Sequence, residues 1–237
     1  MAEMGFGYGS EYQLLRALGH HRDSFFKEIR EAIGTELAIE WLDYPKDETR
    51  LSLDGEYCDI ECFGAEPFYG ELLKKWPAFW PVKGPNAQNW DGIFRIGSKW
   101  FFVEAKAHIT EMKSSHKISP KSEAIIVNSL DGASKWLHAE KDGKHWAHSS
   151  YYQMANRLAF CHFLRDNGIE ASLVNVFFMN GYERPFVSRT ANHVESKSVT
   201  ERQDWEKAIE AELYDLGLTE EALSGIVYNV IVDCLSL

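Results

Sequence analysis

Residues 89–108 read NWDGIFRIGSKWFFVEAKAH. The apolar run Ile93, Phe94 and Ile96 meets Gly97-Ser98, and a second apolar run leads from Trp100 to Glu104-Ala105-Lys106. Two β-rich runs around a short glycine-containing turn predict an antiparallel hairpin. Side chains alternate between faces along the second strand, so Glu104, Lys106 and His108 share one face and Val103, Ala105 and Ala107 the other. A carboxylate and an ammonium beside Trp100, Phe101 and Phe102 are costly to bury unless they pair or meet a metal. The competing reading, an ion pair on a solvated edge, suits the apolar flanks poorly. With Asp91 just ahead of the first strand, the hairpin is a candidate site.

Asp91 and Glu104 offer hard oxygen ligands to one or two divalent cations. Magnesium is typically held by one or two carboxylates, with water and substrate phosphate completing the shell. Lys106 beside them would position or help activate the attacking water and offset phosphate charge, while the cation polarises the phosphate. Together these groups suit phosphodiester hydrolysis.

Asp91 followed by Glu104-x-Lys106 at the end of the next strand resembles the active-site signature of the PD-(D/E)XK nuclease superfamily. Trp90 stands where the name-giving motif has proline. Nuclease subfamilies of the RecB type carry a glutamine, then a tyrosine four residues later, on the helix after this motif. Gln153 matches the first, and Arg157 stands in the tyrosine position. The resemblance implies an α/β protein with a restriction-endonuclease-like mixed central sheet flanked by helices, with N- and C-terminal helical additions. It implies Asp91, Glu104 and Lys106 as catalytic residues, Asp91 and Glu104 as ligands to Mg2+ or Mn2+, and Gln153 and Arg157 as substrate-binding residues. The implied partner is nucleic acid, DNA ahead of RNA. A helix before the sheet sometimes adds a glutamate in this fold; Glu11, Glu28 and Glu31 all qualify, and Glu56 would join if its strand neighbours the hairpin.

The 237 residues suit one domain, with a core over about 10–180 and a C-terminal extension over about 181–237. An apolar content of 45% with 14% aromatics supports a packed core and argues against disorder. A net charge of −11 argues against a protein that coats nucleic acid nonspecifically. Between Arg95 and Lys121, however, six basic residues face two acids, which predicts a basic surface around the site. No basic segment leads into an apolar stretch at the N-terminus, and no apolar run spans a membrane. Four scattered cysteines (Cys58, Cys62, Cys161, Cys234) make no disulfide scaffold, which points to a reducing, cytoplasmic compartment. The alternative to a nuclease is a non-catalytic nucleic-acid-binding or regulatory module. No phosphate-binding glycine loop or nucleophile elbow supports another enzyme class.

Along the chain, Ser10-x-x-Gln13 reads as a capping box, and a second helix spans Arg22–Ile33 with Gly34 as its stop. Strands are expected at 39–42 and 57–63, then a short helix within 66–85 whose aromatics pack over the sheet. Residues 114–149, holding His138, His145 and His148, read as a loop. Residues 149–166 read as a buried helix closed by Asn167-Gly168, with Gln153, Asn156 and Arg157 as one polar stripe. Ala171–Met179 reads as a central strand. Thr200-x-x-Gln203 reads as the cap of another helix, and 226–235 as a last strand.

Overall fold

The computed structural model describes residues 9–42, 62–63, 71–81, 89–114, 118–181 and 198–237. In chain order its strands are β1 (Glu40–Trp41), β2 (Cys62–Phe63), β3 (Asn89–Trp90), β4 (Gly92–Ile96), β5 (Lys99–Lys106), β6 (Ala171–Met179) and β7 (Val227–Asp233). The helices are α1 (Ser10–His20), α2 (Arg22–Ile33), α3 (Glu71–Phe79), α4 (Pro120–Trp136), α5 (Gly143–His148), α6 (Tyr152–Asp166), α7 (Arg202–Leu216) and α8 (Glu220–Leu223), with a 3-10 turn at Ile109–Met112.

Five strands form one mixed sheet in the order β1-β4-β5-β6-β7, and β2 pairs with β3 separately. The hairpin β4–β5 is antiparallel and closes where predicted, with Ile96 opposite Lys99. Gly97 takes φ +61 in the turn, a left-handed conformation that glycine adopts without a Cβ clash. Strands β5, β6 and β7 run parallel.

Alternation along β5 divides the interior. Phe101, Val103, Ala105 and Ala107 join Leu14, Phe25 and Ile29 in a core beneath α1 and α2. Phe102 faces the opposite core, with Leu130, Leu158, Phe160, Phe177 and Trp205 from α4, α6, β6 and α7. Glu104 and Lys106 share that second face. The sheet is therefore covered on both sides, as its parallel half requires.

Several expected elements hold. Helix α2 ends at Gly34 in the left-handed conformation, φ 75 and ψ 44. Strand β6 spans the expected residues and is buried except at its last position. Helix α6 ends at Asp166 as expected but begins at Tyr152, three residues later than the sequence suggests.

Other expectations need correcting. Residues 114–149 are not a loop, because α4 and α5 occupy most of them. Pro120 sits in the first turn of α4, where its missing N–H costs nothing, and Ile126, Leu130, Ala133 and Leu137 make its buried stripe. Neither capping box forms. Helix α1 is capped at Gly9 with no side-chain bond, and Gln13 is buried, accepting a hydrogen bond from Cys234 Sγ at 3.4 Å. Helix α7 begins beyond Thr200, with Glu201 at its N-cap and no side-chain cap bond. Residues 57–61 and Glu56 lie outside the described residues.

The C-terminal segment belongs to the same sheet, since β7 pairs with β6. Helix α7 lies against β6 through Trp205, whose ring is 4.8 Å from that of Phe177 and whose Nε1–H donates to Phe178 O at 3.3 Å. Its C-terminal end is latched to α5: Trp146 Nε1–H donates to Leu216 O at 2.8 Å, and Ser149 Oγ donates to the Asp215 carboxylate. Among the described residues, no helix is long and apolar enough to cross a membrane.

Candidate active site

The antiparallel ladder ends where β4 begins, at Gly92 opposite Val103. Asp91 N–H still reaches Val103 O at 3.1 Å. The next outward N–H of β5, that of Ala105, donates instead to Asp91 Oδ2 at 2.6 Å. A carboxylate thus replaces a strand partner, which fixes Asp91 beside the end of β5.

Glu104 follows on the α6 face and is 6% exposed. Its Oε1 accepts from Lys106 Nζ and from Gln153 Nε2, the latter at 2.8 Å. Its Oε2 accepts from Arg157 Nε at 2.8 Å. Lys106 Nζ also donates to Gln153 Oε1 at 2.9 Å. Gln153 therefore bonds both motif residues at once. Four residues along α6, the Arg157 guanidinium lies 4.5 Å from the Trp90 ring centroid, over its face. A cation on an indole face gains roughly 0.5–2 kcal/mol.

The sequence-predicted residues Asp91, Glu104, Lys106, Gln153 and Arg157 thus meet at one end of β5. Asn156 is half-buried and is not part of the cavity wall. His108 falls beyond β5, at the start of the 3-10 turn. Of the helix glutamates, Glu31 on α2 pairs with Lys27 at 3.6 Å, and none of Glu11, Glu28 and Glu31 lines the cavity.

The expected basic surface does not gather at the site. Arg95 pairs with Glu40, and Lys99 lies 3.8 Å from Glu170, both at the turn end of the hairpin. The length of β5 separates them from Lys106, so only Lys106 of that run lines the cavity among the described residues. Lys117 lies outside the described residues.

A partly open cavity sits above this cluster, lined by Glu104, Lys106, Gln153, Arg157, Asn175 and Glu212 with apolar walls from Met112, Met154 and Phe177. Asn175 and Glu212 were not singled out from the sequence. Asn175 is opposite Glu104 in the β5–β6 register and donates to Asn229 Oδ1 at 3.0 Å. Glu212 comes from α7, is 5% exposed, and makes no hydrogen bond or ion pair among the described residues. A signal existed for it. Trp205, Ala208, Glu212, Leu213 and Leu216 are the buried positions of α7, so a carboxylate occupies its apolar stripe.

Burial and neighbouring charge set the protonation of the cluster. Burial pushes the Asp91 carboxyl well above the usual range, and the Glu104 charge adds to it, against the pull of Lys106, the Ala105 N–H and Arg157. For Glu104, burial acts upward, but Arg157 and Lys106 outweigh it and hold the carboxyl below its usual value. For Lys106, burial acts downward, yet Glu104 and Asp91 outweigh it and keep the ammonium charged. Burial pushes Glu212 up to about 8.

Asp91 and Glu104 are hard oxygen donors of the kind magnesium and manganese take. No group of three or more His, Cys, Asp or Glu gathers for a metal among the described residues. Two carboxylates completed by water and phosphate oxygens are nonetheless a common magnesium arrangement, so the donor set fits such an ion.

No family model, curated protein or solved structure matches the chain.

Proposed function

We propose that the chain is a divalent-metal-dependent nuclease with a restriction-endonuclease-like fold, cleaving phosphodiester bonds and preferring DNA to RNA. The observation that carries this reading is the double contact of Gln153. A helix residue far along the chain bonds both Glu104 and Lys106, the two residues of the strand motif, next to Asp91. A mixed sheet that places an antiparallel hairpin against parallel strands agrees with it.

In this reading Asp91 and Glu104 hold magnesium or manganese, which when bound supplies Lewis-acid polarisation of the phosphate and a more acidic water. The chain's own groups do the rest. The Ala105 N–H fixes the Asp91 carboxylate. Gln153 holds the Lys106 ammonium at the cavity wall, where it offsets the negative charge of a phosphate. Arg157 spends Nε on Glu104, and its terminal amino groups remain for a phosphate oxygen. Arg157 is therefore first a partner of Glu104, and only its outer donors serve the substrate.

One observation favours the alternative, a non-catalytic nucleic-acid-binding or regulatory module: both Glu104 oxygens are already bonded. The test is cleavage of linear, supercoiled, single-stranded and branched DNA, and of RNA, with magnesium or manganese. Asp91→Ala, Glu104→Ala and Lys106→Ala should each abolish cleavage while circular dichroism stays unchanged. Cleavage surviving Glu104→Ala rejects this site. A wild-type protein inactive on every substrate, yet binding one of them, establishes the module.

A further inference from the structure

Both oxygens of Glu104 are in use, and Lys106 holds one of them. An ammonium on that oxygen opposes a cation there, since two positive charges would share one buried acceptor. Lys106 is itself buried, with a side chain 11% exposed, so it cannot withdraw into water. It needs another acceptor within the cavity. Gln153 Oε1 already receives it, and Asn175 is neutral. Of the other acids whose charge reaches Lys106, Asp91 would share the metal and Glu111 accepts from the Ala107 N–H. Glu212 is the remaining acidic side chain of the wall, buried and without a partner among the described residues, and the Lys106 charge acts on it. No direct bond joins the two in this arrangement, so the exchange requires the flexible lysine stem to swing across the cavity.

We propose that Glu212 is a positioning residue that receives the Lys106 ammonium when Glu104 turns to a divalent cation. This rests on the nuclease reading above and extends it to the C-terminal helix. Lys106 would alternate between two carboxylates: Glu104 in the absence of the ion, and Glu212 in its presence. Gln153 stays bonded to the ammonium in both positions and acts as the pivot. The role explains why an unpartnered carboxyl occupies the apolar stripe of α7, where it otherwise only costs stability.

Manganese alone, as the chloride, probes this with the full chain. Titration followed by electron paramagnetic resonance gives the affinity of wild type, Glu212→Leu, Lys106→Gln and the double variant. Removing the second acceptor keeps Lys106 on Glu104 in competition with the metal. Glu212→Leu should weaken manganese binding about tenfold, the scale of one lost charge-assisted hydrogen bond. In the Lys106→Gln background the same change should have no effect, because no ammonium remains to relocate. Equal affinity of Glu212→Leu and wild type overturns the proposal. So does an equal loss in both backgrounds, which would make Glu212 a direct ligand. A manganese-soaked crystal of wild type supplies a second reading free of any variant: Lys106 Nζ should lie within hydrogen-bond distance of Glu212, and Nζ still on Glu104 refutes the exchange. Wild-type protein that binds no manganese removes the metal reading, and this inference with it.

Discussion

Replacing Glu212 by Gln should stabilise the metal-free protein at alkaline pH and leave it nearly unchanged in mild acid. The side chain is buried with no hydrogen-bond donor among the described residues, and its pKa rises from 4.5 to about 8. The folded state therefore binds the proton more tightly than the unfolded state. The stabilising contribution of the neutral carboxyl is complete below pH 4.5 and is lost as pH rises through about 8. At about 1.4 kcal/mol per tenfold change in proton affinity, the full loss is about 5 kcal/mol, and about 4 kcal/mol by pH 8. Glutamine keeps the shape and carries no proton to lose. Asp91, also raised, is common to both proteins and cancels in the difference. Urea denaturation in EDTA at pH 5 and pH 8 measures the effect. The two proteins should agree within about 1 kcal/mol at pH 5, and the variant should lead by about 4 kcal/mol at pH 8. A difference that does not grow between these pH values refutes the reasoning, because it would mean that Glu212 ionises freely where it lies.

Arg157→Ala strips Glu104 Oε2 of its donor and leaves a buried carboxylate partly uncompensated, so it should cost about 3–5 kcal/mol in denaturant. Lysine at 157 should restore little of this, lacking the planar group that both donates Nε–H and stacks on Trp90; full rescue by lysine would count against the stacked geometry. Glycines in the α4–α5 region should separate sharply. A Cβ on Gly143 would lie 2.3 Å from Asp131 N and 2.5 Å from Val127 O, both backbone, so Gly143→Ala should lower the melting temperature by an amount equivalent to roughly 1–3 kcal/mol. Gly132→Ala meets only the half-buried His162 ring at 3.3 Å in a helix interior, and should be neutral or stabilising by up to about 1 kcal/mol. Equal melting temperatures for the two alanine variants would contradict the packing of α5 on α4.

Local chemistry made part of this protein readable. The Gly97 turn, the alternation on β5, the apolar β6 and the Gly34 stop each follow from neighbours in sequence, and each is where the pattern puts it. Helix α4 was lost because Asn128, Gly132 and several β-branched residues dilute its helical character, although Ser119-Pro120 and the spacing Ile126, Leu130, Ala133, Leu137 mark it. The capping boxes misled because Gln13 has a buried destination, Cys234, which no nearby residue announces. The site divides in the same way. Glu104, Lys106 and Gln153 follow from strand and helix periodicity, whereas the choice of Glu104 rather than phosphate as partner for Arg157 Nε is decided by how α6 lies on the sheet. Glu212 was visible as a carboxylate on an apolar stripe, but its place on the same cavity wall as Lys106 depends on where α7 docks.

That docking also sets a sequence of events in time. The β4–β5 hairpin is local and can close within microseconds. The latch of Trp146 on Leu216 joins residues 70 positions apart, a closure that costs roughly 4 kcal/mol of chain entropy before any contact repays it. On a ribosome α7, which carries Glu212, emerges after β5 and α6, which carry the rest of the cluster. Until then the Glu104, Lys106 and Gln153 contacts can exist in a groove open to water. The Glu212 wall of the cavity depends on the docking of α7, and the burial of Trp205 against Phe177 is a fluorescence signal for that docking.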